Sequence, residues 1–153
     1  GQEHLGAVRR MSELNVEGVT RLRVRYGETD QMGFVYHPNY LVWCEIGRTE
    51  LLRDLGYAYV DMERKGFRLA VAEASLRYAR SAHYDDAIRV VTRLAEARSR
   101  TITFHYEIHR ECDSTTELLA TATTRLIALD ESGTPRRLPQ DLLERFRDTP
   151  ATA

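Results

Sequence analysis

The chain has 153 residues, 42% hydrophobic and 29% charged, with 22 basic side chains against 23 acidic ones. That length suits one domain with one sizeable core. A formal net charge of −1 leaves no electrostatic footprint for nucleic acid or an anionic membrane surface, and no apolar run nears the roughly 18 residues of a membrane helix.

Residues 1–16 read as an N-terminal tail or tag remnant, with Met11 as a natural start, and Gly1–Arg10 lack the apolar stretch of a secretory signal. Residues 17–148 are expected to form the domain, and 149–153 a C-terminal tail. A cytoplasmic location is expected. Two cysteines, Cys44 and Cys112, are too few for a disulfide scaffold, so reduced thiols are expected. Lys65 is the single lysine among the basic residues, which makes Schiff-base chemistry a poor fit.

Val19 to Tyr26 alternates, with Leu22, Val24 and Tyr26 on one face and Arg21, Arg23 and Arg25 on the other. Period two with polar alternates predicts a half-buried strand ending at Tyr26. Gly27 to His37 reads as a loop. Pro38 suits a first helical turn, where its missing N–H costs nothing. Tyr40, Trp43, Cys44, Gly47, Leu51 and Leu55 then recur at helical spacing up to Leu55. Leu41, Val42, Ile46 and Leu52 widen the apolar face, predicting a largely buried helix, and Gly56 supplies its stop. Four further strands follow: Phe67–Tyr78, Ala87–Ala97, Thr101–Arg110 and Leu118–Leu129. Ser132-Gly133 marks a turn, and Leu138–Arg147 reads as a short amphipathic helix. No crossover helices separate the last four strands, so a mainly antiparallel sheet with the long helix packed across it is expected.

The chemistry concentrates between Tyr26 and Gly56. Free N–H groups at a helix start stabilise a developing negative oxygen in front of it. Asp30, seven residues before His37, could be returned to that place by a turn at Gly33. A carboxylate facing an oxyanion-binding helix end is what hydrolysis of an activated acyl group requires.

The run Tyr26-x-Glu28-Thr29-Asp30-x-x-Gly33-x-Val35-Tyr36-His37-x-x-Tyr40, followed by Glu45-x-x-Arg48-x-Glu50-x-Leu52-Arg53 and Gly56, carries a family resemblance. It resembles the hot-dog-fold acyl-CoA thioesterases of the 4-hydroxybenzoyl-CoA thioesterase and Tol–Pal-associated type. A weaker match is Ala120-x-Ala122-x-Thr124 through Asp130, Gly133 and Leu138-Pro139. The resemblance implies an α+β hot-dog fold, a curved antiparallel β-sheet wrapped around one long central helix. It implies hydrolysis of an acyl-CoA to free CoA and a carboxylic acid, with no metal and no organic cofactor. Asp30 would act as nucleophile or general base, and the His37 backbone N–H would polarise the thioester carbonyl. The His37 side chain and Tyr26 would assist, and Gly33, Val35 and Tyr36 would help shape the oxyanion and substrate wall. It also implies a homo-oligomer, dimer or tetramer, with the active site at the dimer interface. There Asp30 of one chain would face the His37 helix start of the other.

Each residue also has a plainer reading. Asp in a Gly-containing loop often only makes an Asx-turn. Glu28, where many relatives have Asp, reads as a solvated loop acid. Glu45 is the rival catalytic acid, since a helix acid serves elsewhere in the superfamily; its plainer role is pairing with Arg48 or Thr49. His105, Glu107 and His109 share a strand face, which reads as solvent or subunit contact rather than zinc site. Cys44 lies on the apolar helix stripe and is not expected to be a nucleophile. Arg98, Arg100, Arg136 and Arg137 are candidates for the CoA phosphates, and Tyr57, Tyr59 and Phe67 for the acyl pocket. Two other functions compete. A non-catalytic acyl-CoA-binding or regulatory protein would need no carboxylate at the carbonyl. A dehydratase would need a His–acid pair that this sequence lacks.

Overall fold

In the computed structural model, which describes residues 16–148, the strands are β1 (Glu17–Arg23), β2 (Arg68–Tyr78), β3 (Ala87–Ala97), β4 (Thr101–Glu111) and β5 (Thr116–Leu129). They form one sheet in the order β1-β3-β4-β5-β2, antiparallel at every pairing. The helices are α1 (Asn39–Asp54), α2 (Tyr59–Arg64) and α3 (Gln140–Asp148). Val16, assigned to the tail from sequence, is buried, and its carbonyl accepts the Leu94 N–H at 2.9 Å. The expectations for residues 1–15 and 149–153 lie outside the described residues. Among the described residues no helix is long and apolar enough to cross a membrane.

The alternation of β4 and β5, broken in β5 only where Leu119 and Ala120 are both buried, is the cause of their burial pattern. Ile102, Phe104, Tyr106 and Ile108 point inward, as do Ala120, Ala122, Thr124 and Leu126. Helix α1 crosses this inner face, mainly over β1 and β3. It buries Tyr40, Trp43, Cys44, Gly47, Leu51 and Leu52, the three- and four-residue spacing of a single face. Leu51 and Leu52 each gain about 2 kcal/mol from that burial. Gly47 marks the closest approach, where a Cβ would lie 2.5 Å from Thr92 Oγ1 and 3.0 Å from Val90 Cγ1. Gly56, at φ 87°, stops the helix as expected.

Three expectations change. Helix α1 is not largely buried in the single chain: Leu41, Val42 and Ile46 are 37%, 42% and 37% exposed. Their face is turned away from the sheet. Strand β1 ends at Arg23, and Tyr26 lies in a 3-10 turn, Tyr26–Glu28, with its ring exposed. The backbone leaves the ladder after Val24, so the period-two pattern runs past the strand. Helix α2 was not expected, because six residues offer too short a period to read.

Candidate active site

The loop between β1 and α1 is folded into a small hairpin. Thr29 bridges to Val35, the Asp30 N–H donates to the Phe34 carbonyl at 2.7 Å, and the Tyr36 N–H donates to the Glu28 carbonyl at 2.9 Å. Gly33 turns it at φ 85°, a left-handed conformation that favours glycine. A second segment, residues 79–86, supports the hairpin. The Val35 N–H donates to Ala82 O at 2.9 Å, Phe34 bridges to His83, and Ala82 N–H donates to Tyr40 Oη at 2.9 Å. Arg110 holds that segment through Asp86 at 2.8 Å and the Ser81 carbonyl at 3.2 Å.

Glu28 is the chief surprise. Read from sequence as a solvated loop acid, it is buried. Its carboxylate accepts the Arg25 N–H at 2.8 Å and the Trp43 indole N–H at 2.9 Å. Its carbonyl also accepts the Asn39 side-chain amide at 2.8 Å. One residue thus ties the 3-10 turn, the hairpin and the first turns of α1 together. Nothing local in the sequence signals this, since the partner lies 15 residues away.

Asp30 sits exposed in the hairpin. Its Oδ1 accepts the N–H groups of Met32 at 2.9 Å and Phe34 at 3.2 Å. This is the expected Asx-turn, yet it occupies one oxygen only. Oδ2 has no hydrogen bond among the described residues. The plainer reading and the catalytic one are therefore compatible.

The N–H groups around the helix start divide sharply. Gly33 donates to Asp30 O at 3.1 Å, Val35 to Ala82 O and Tyr36 to Glu28 O. Pro38 has none, and Asn39 N–H donates to Tyr36 O at 2.9 Å. The His37 N–H has no acceptor among the described residues. Gly33, Val35 and Tyr36 are thus left as wall and turn residues, with no free donor for an oxyanion. The His37 ring is exposed and meets the rings of Tyr36 and Tyr78 edge-on, at centroid distances of 5.0 Å and 6.3 Å. Tyr26 is 73% exposed, its ring edge-on to Tyr84 at 5.8 Å.

Glu45 makes neither expected contact. Arg48 instead donates to the Tyr106 hydroxyl at 3.2 Å. Glu45 stays exposed at the edge of a cleft of about 230 Å³ between α1, α2 and the sheet. Tyr57, Tyr59, Leu52 and Met62 line that cleft, whereas Phe67 packs in the core and lines a neighbouring recess. Cys44 is buried, and desolvation pushes its thiol up to about 12, so it stays protonated.

The four arginines gather at one end of the sheet. Ala128 N–H donates to Arg100 O, Leu138 N–H to Ser99 O and Arg136 N–H to Ala128 O. Arg98 pairs with Glu96 at 2.5 Å. Arg136 donates to the carbonyls of Lys65 and Gly66 and covers the Phe67 ring. Arg100 and Arg137 are exposed with no ion pair among the described residues. On the outer sheet face, His109 Nε2 lies 2.9 Å from Glu107, and His105 lies 2.9 Å from Thr123. No group of three potential metal ligands occurs among the described residues.

Comparison with known proteins agrees with this architecture. The model of the thioesterase-like superfamily matches residues 24–146. The candidate acyl-CoA thioesterase YneP of Bacillus subtilis is 41% identical, over 72% of this chain and 78% of its own. The acyl-CoA thioesterase YbgC of Haemophilus influenzae is 33% identical, over 71% and 78%. Among solved structures, a DHNA-CoA thioesterase from Staphylococcus aureus superposes with a TM-score of 0.79 at 32% identity, covering 85% of this chain and 88% of that one. The matched span contains the hairpin, all of α1 and strands β2 to β5, and on these grounds the chain belongs to the thioesterase-like superfamily, with its hot-dog fold.

Proposed function

We propose that this protein is an acyl-CoA thioesterase, releasing free CoA and a carboxylic acid. The reading rests on one arrangement: a turn-fixed Asp30 carboxylate with one oxygen uncommitted, on the same hairpin as a helix start whose His37 N–H is uncommitted. The likeness to YneP and YbgC supports it.

The thioester carbonyl oxygen takes the His37 N–H, and the α1 dipole favours the negative charge that develops there. Asp30 attacks the carbonyl carbon, or withdraws a proton from an attacking water. The CoA thiolate leaves and takes up a proton. Attack by Asp30 leaves an anhydride, which water opens. The His37 side chain and Tyr26 border the reacting group, and Arg100 and Arg137 are the arginines free to meet CoA phosphates. A binding protein would gain nothing from an uncommitted carboxylate at this place.

The site is completed by a second copy. Strand β2 is a sheet edge, and its Tyr78 hydroxyl donates to the His37 carbonyl at 2.9 Å. A partner chain along that edge therefore reaches the helix start, where one chain's Asp30 would face the other's His37.

Thiol release from a panel of short, long and aromatic acyl-CoAs tests the reading. Asp30→Asn should lower turnover by about 10²–10⁴-fold with unchanged circular dichroism. Near-normal turnover in that variant would remove Asp30 from the chemistry and turn attention to Glu45.

A further inference from the structure

The donor proposed to polarise the carbonyl is a backbone N–H, so its aim depends entirely on the peptide planes beside it. One side is fixed. The Tyr36 N–H is held on the Glu28 carbonyl at 2.9 Å, and Glu28 is itself anchored to Trp43. On the other side the Asn39 N–H closes a turn onto the Tyr36 carbonyl at 2.9 Å across His37 and Pro38, although a residue before proline disfavours the helical region that such a turn uses. The His37 carbonyl is the further point at which that turn can be held.

Tyr78, the last residue of edge strand β2, is placed to hold it there. Its phenolic O–H donates to the His37 carbonyl at 2.9 Å, and the Tyr40 N–H reaches the same oxygen at 3.3 Å. Its ring packs edge-on against Tyr40 at 5.1 Å and against His37. Tyr40 in turn touches Trp43 and receives the Ala82 N–H. The hydroxyl is thus carried by a ring that is braced on Tyr40 and His37 and otherwise half-exposed. Desolvation raises its pKa above the ordinary tyrosine value, with Tyr40 and Cys44 adding to the effect, so it remains a donor at neutral pH.

We propose that Tyr78 is a positioning residue for thioester hydrolysis: its hydroxyl locks the His37–Pro38 peptide and thereby aims the His37 N–H at the developing oxyanion. The inference rests on the thioesterase reading of the loop. It gives Tyr78 no contact with the reacting atoms. Its contribution is made in the transition state, where alignment of the donor matters most.

Tyr78→Phe keeps the ring contacts and removes only the donated hydrogen bond. With the best substrate of the panel, kcat should fall about tenfold while KM stays within about twofold. Thermal midpoint, Trp43 fluorescence and sedimentation should match the wild type. An unchanged kcat overturns the proposal. So does a loss of kcat that comes with altered fluorescence or sedimentation, because the effect is then structural. Asp30→Asn, run alongside, separates the two levels. If Asp30→Asn is inactive and Tyr78→Phe is fully active, only the role of Tyr78 falls. If Asp30→Asn keeps normal turnover, the reading of the loop falls and this inference with it.

Discussion

Glu28 and Asp30 stand two residues apart in one loop, yet their surroundings divide the work. Glu28 is inside, with both carboxylate oxygens accepting N–H groups. Asp30 is outside, with one oxygen bound and one open. Buried donors left without an acceptor are costly, at about 1–3 kcal/mol each. Glu28→Ala strands the Arg25 and Trp43 N–H groups and should lower stability by about 2–4 kcal/mol. Urea unfolding followed by Trp43 fluorescence measures this directly, and a loss below about 0.5 kcal/mol would mean that water replaces the carboxylate without penalty. At this scale the sequence was legible for the Asx-turn at Asp30 and for the helix start just after His37. It was not legible for Glu28 or Glu45. Their environments depend on Trp43, Arg48 and Tyr106, which meet only after folding. Arg48 turns to Tyr106 on β4 rather than to its helical neighbour, a choice made by tertiary packing and invisible to i,i+3 spacing.

The long elements were legible where one face is buried and the other is not. Strands β3, β4 and β5 follow their alternation almost to the residue, because a slip of one position would turn Ile102, Phe104 and Tyr106 outward. The weak points were the short elements, the Tyr26–Glu28 turn and α2, which are too brief to show a period. Helix α3 was foreseen, but its anchor was not. Tyr57 donates its hydroxyl to Asp141, and Lys65 donates to the same carboxylate at 3.1 Å. These two hydrogen bonds, that of Tyr57 foremost, hold the Asp141 pKa below the usual aspartate value. The sign follows from that depression. Folding is favoured by the ionised carboxylate, fully so above the unfolded-state pKa of about 3.9. That contribution fades as pH falls through the lower folded value. Asp141→Asn should therefore flatten the loss of stability between about pH 4 and pH 2. Thermal midpoints of both proteins across that range give the comparison, and parallel curves would mean that Asp141 is not among the groups driving acid unfolding.

At the scale of the molecule, one surface is built like an interior and left open. Val71, Ala74, Leu76 and Tyr78 of β2 oppose Leu126, Thr124, Ala122 and Ala120 of β5, so they belong to the inner face of the sheet. Helix α1 lies mainly over β1 and β3 and meets β2 at the Tyr40–Tyr78 ring contact, leaving Val71 open. Val71 is 53% exposed, and Leu41, Val42 and Ile46 of α1 are exposed as well. An apolar inner face beside an unpaired eleven-residue edge strand is unstable against association. The cover proposed here is a second copy, whose β2 extends the sheet and whose α1 lies against the open trough. The near-zero net charge lets two copies approach without strong repulsion. Wild-type protein should sediment as a homo-oligomer at micromolar concentration. Val71→Lys combined with Ile46→Lys places charge at positions already open to solvent in the single chain, so each chain should keep its fold. The charges would be desolvated only in the assembly. The double variant should sediment as a smaller species, and its turnover per chain should fall together with its mass. A monomeric variant with full turnover would mean that the hairpin and helix start of one chain suffice for the chemistry.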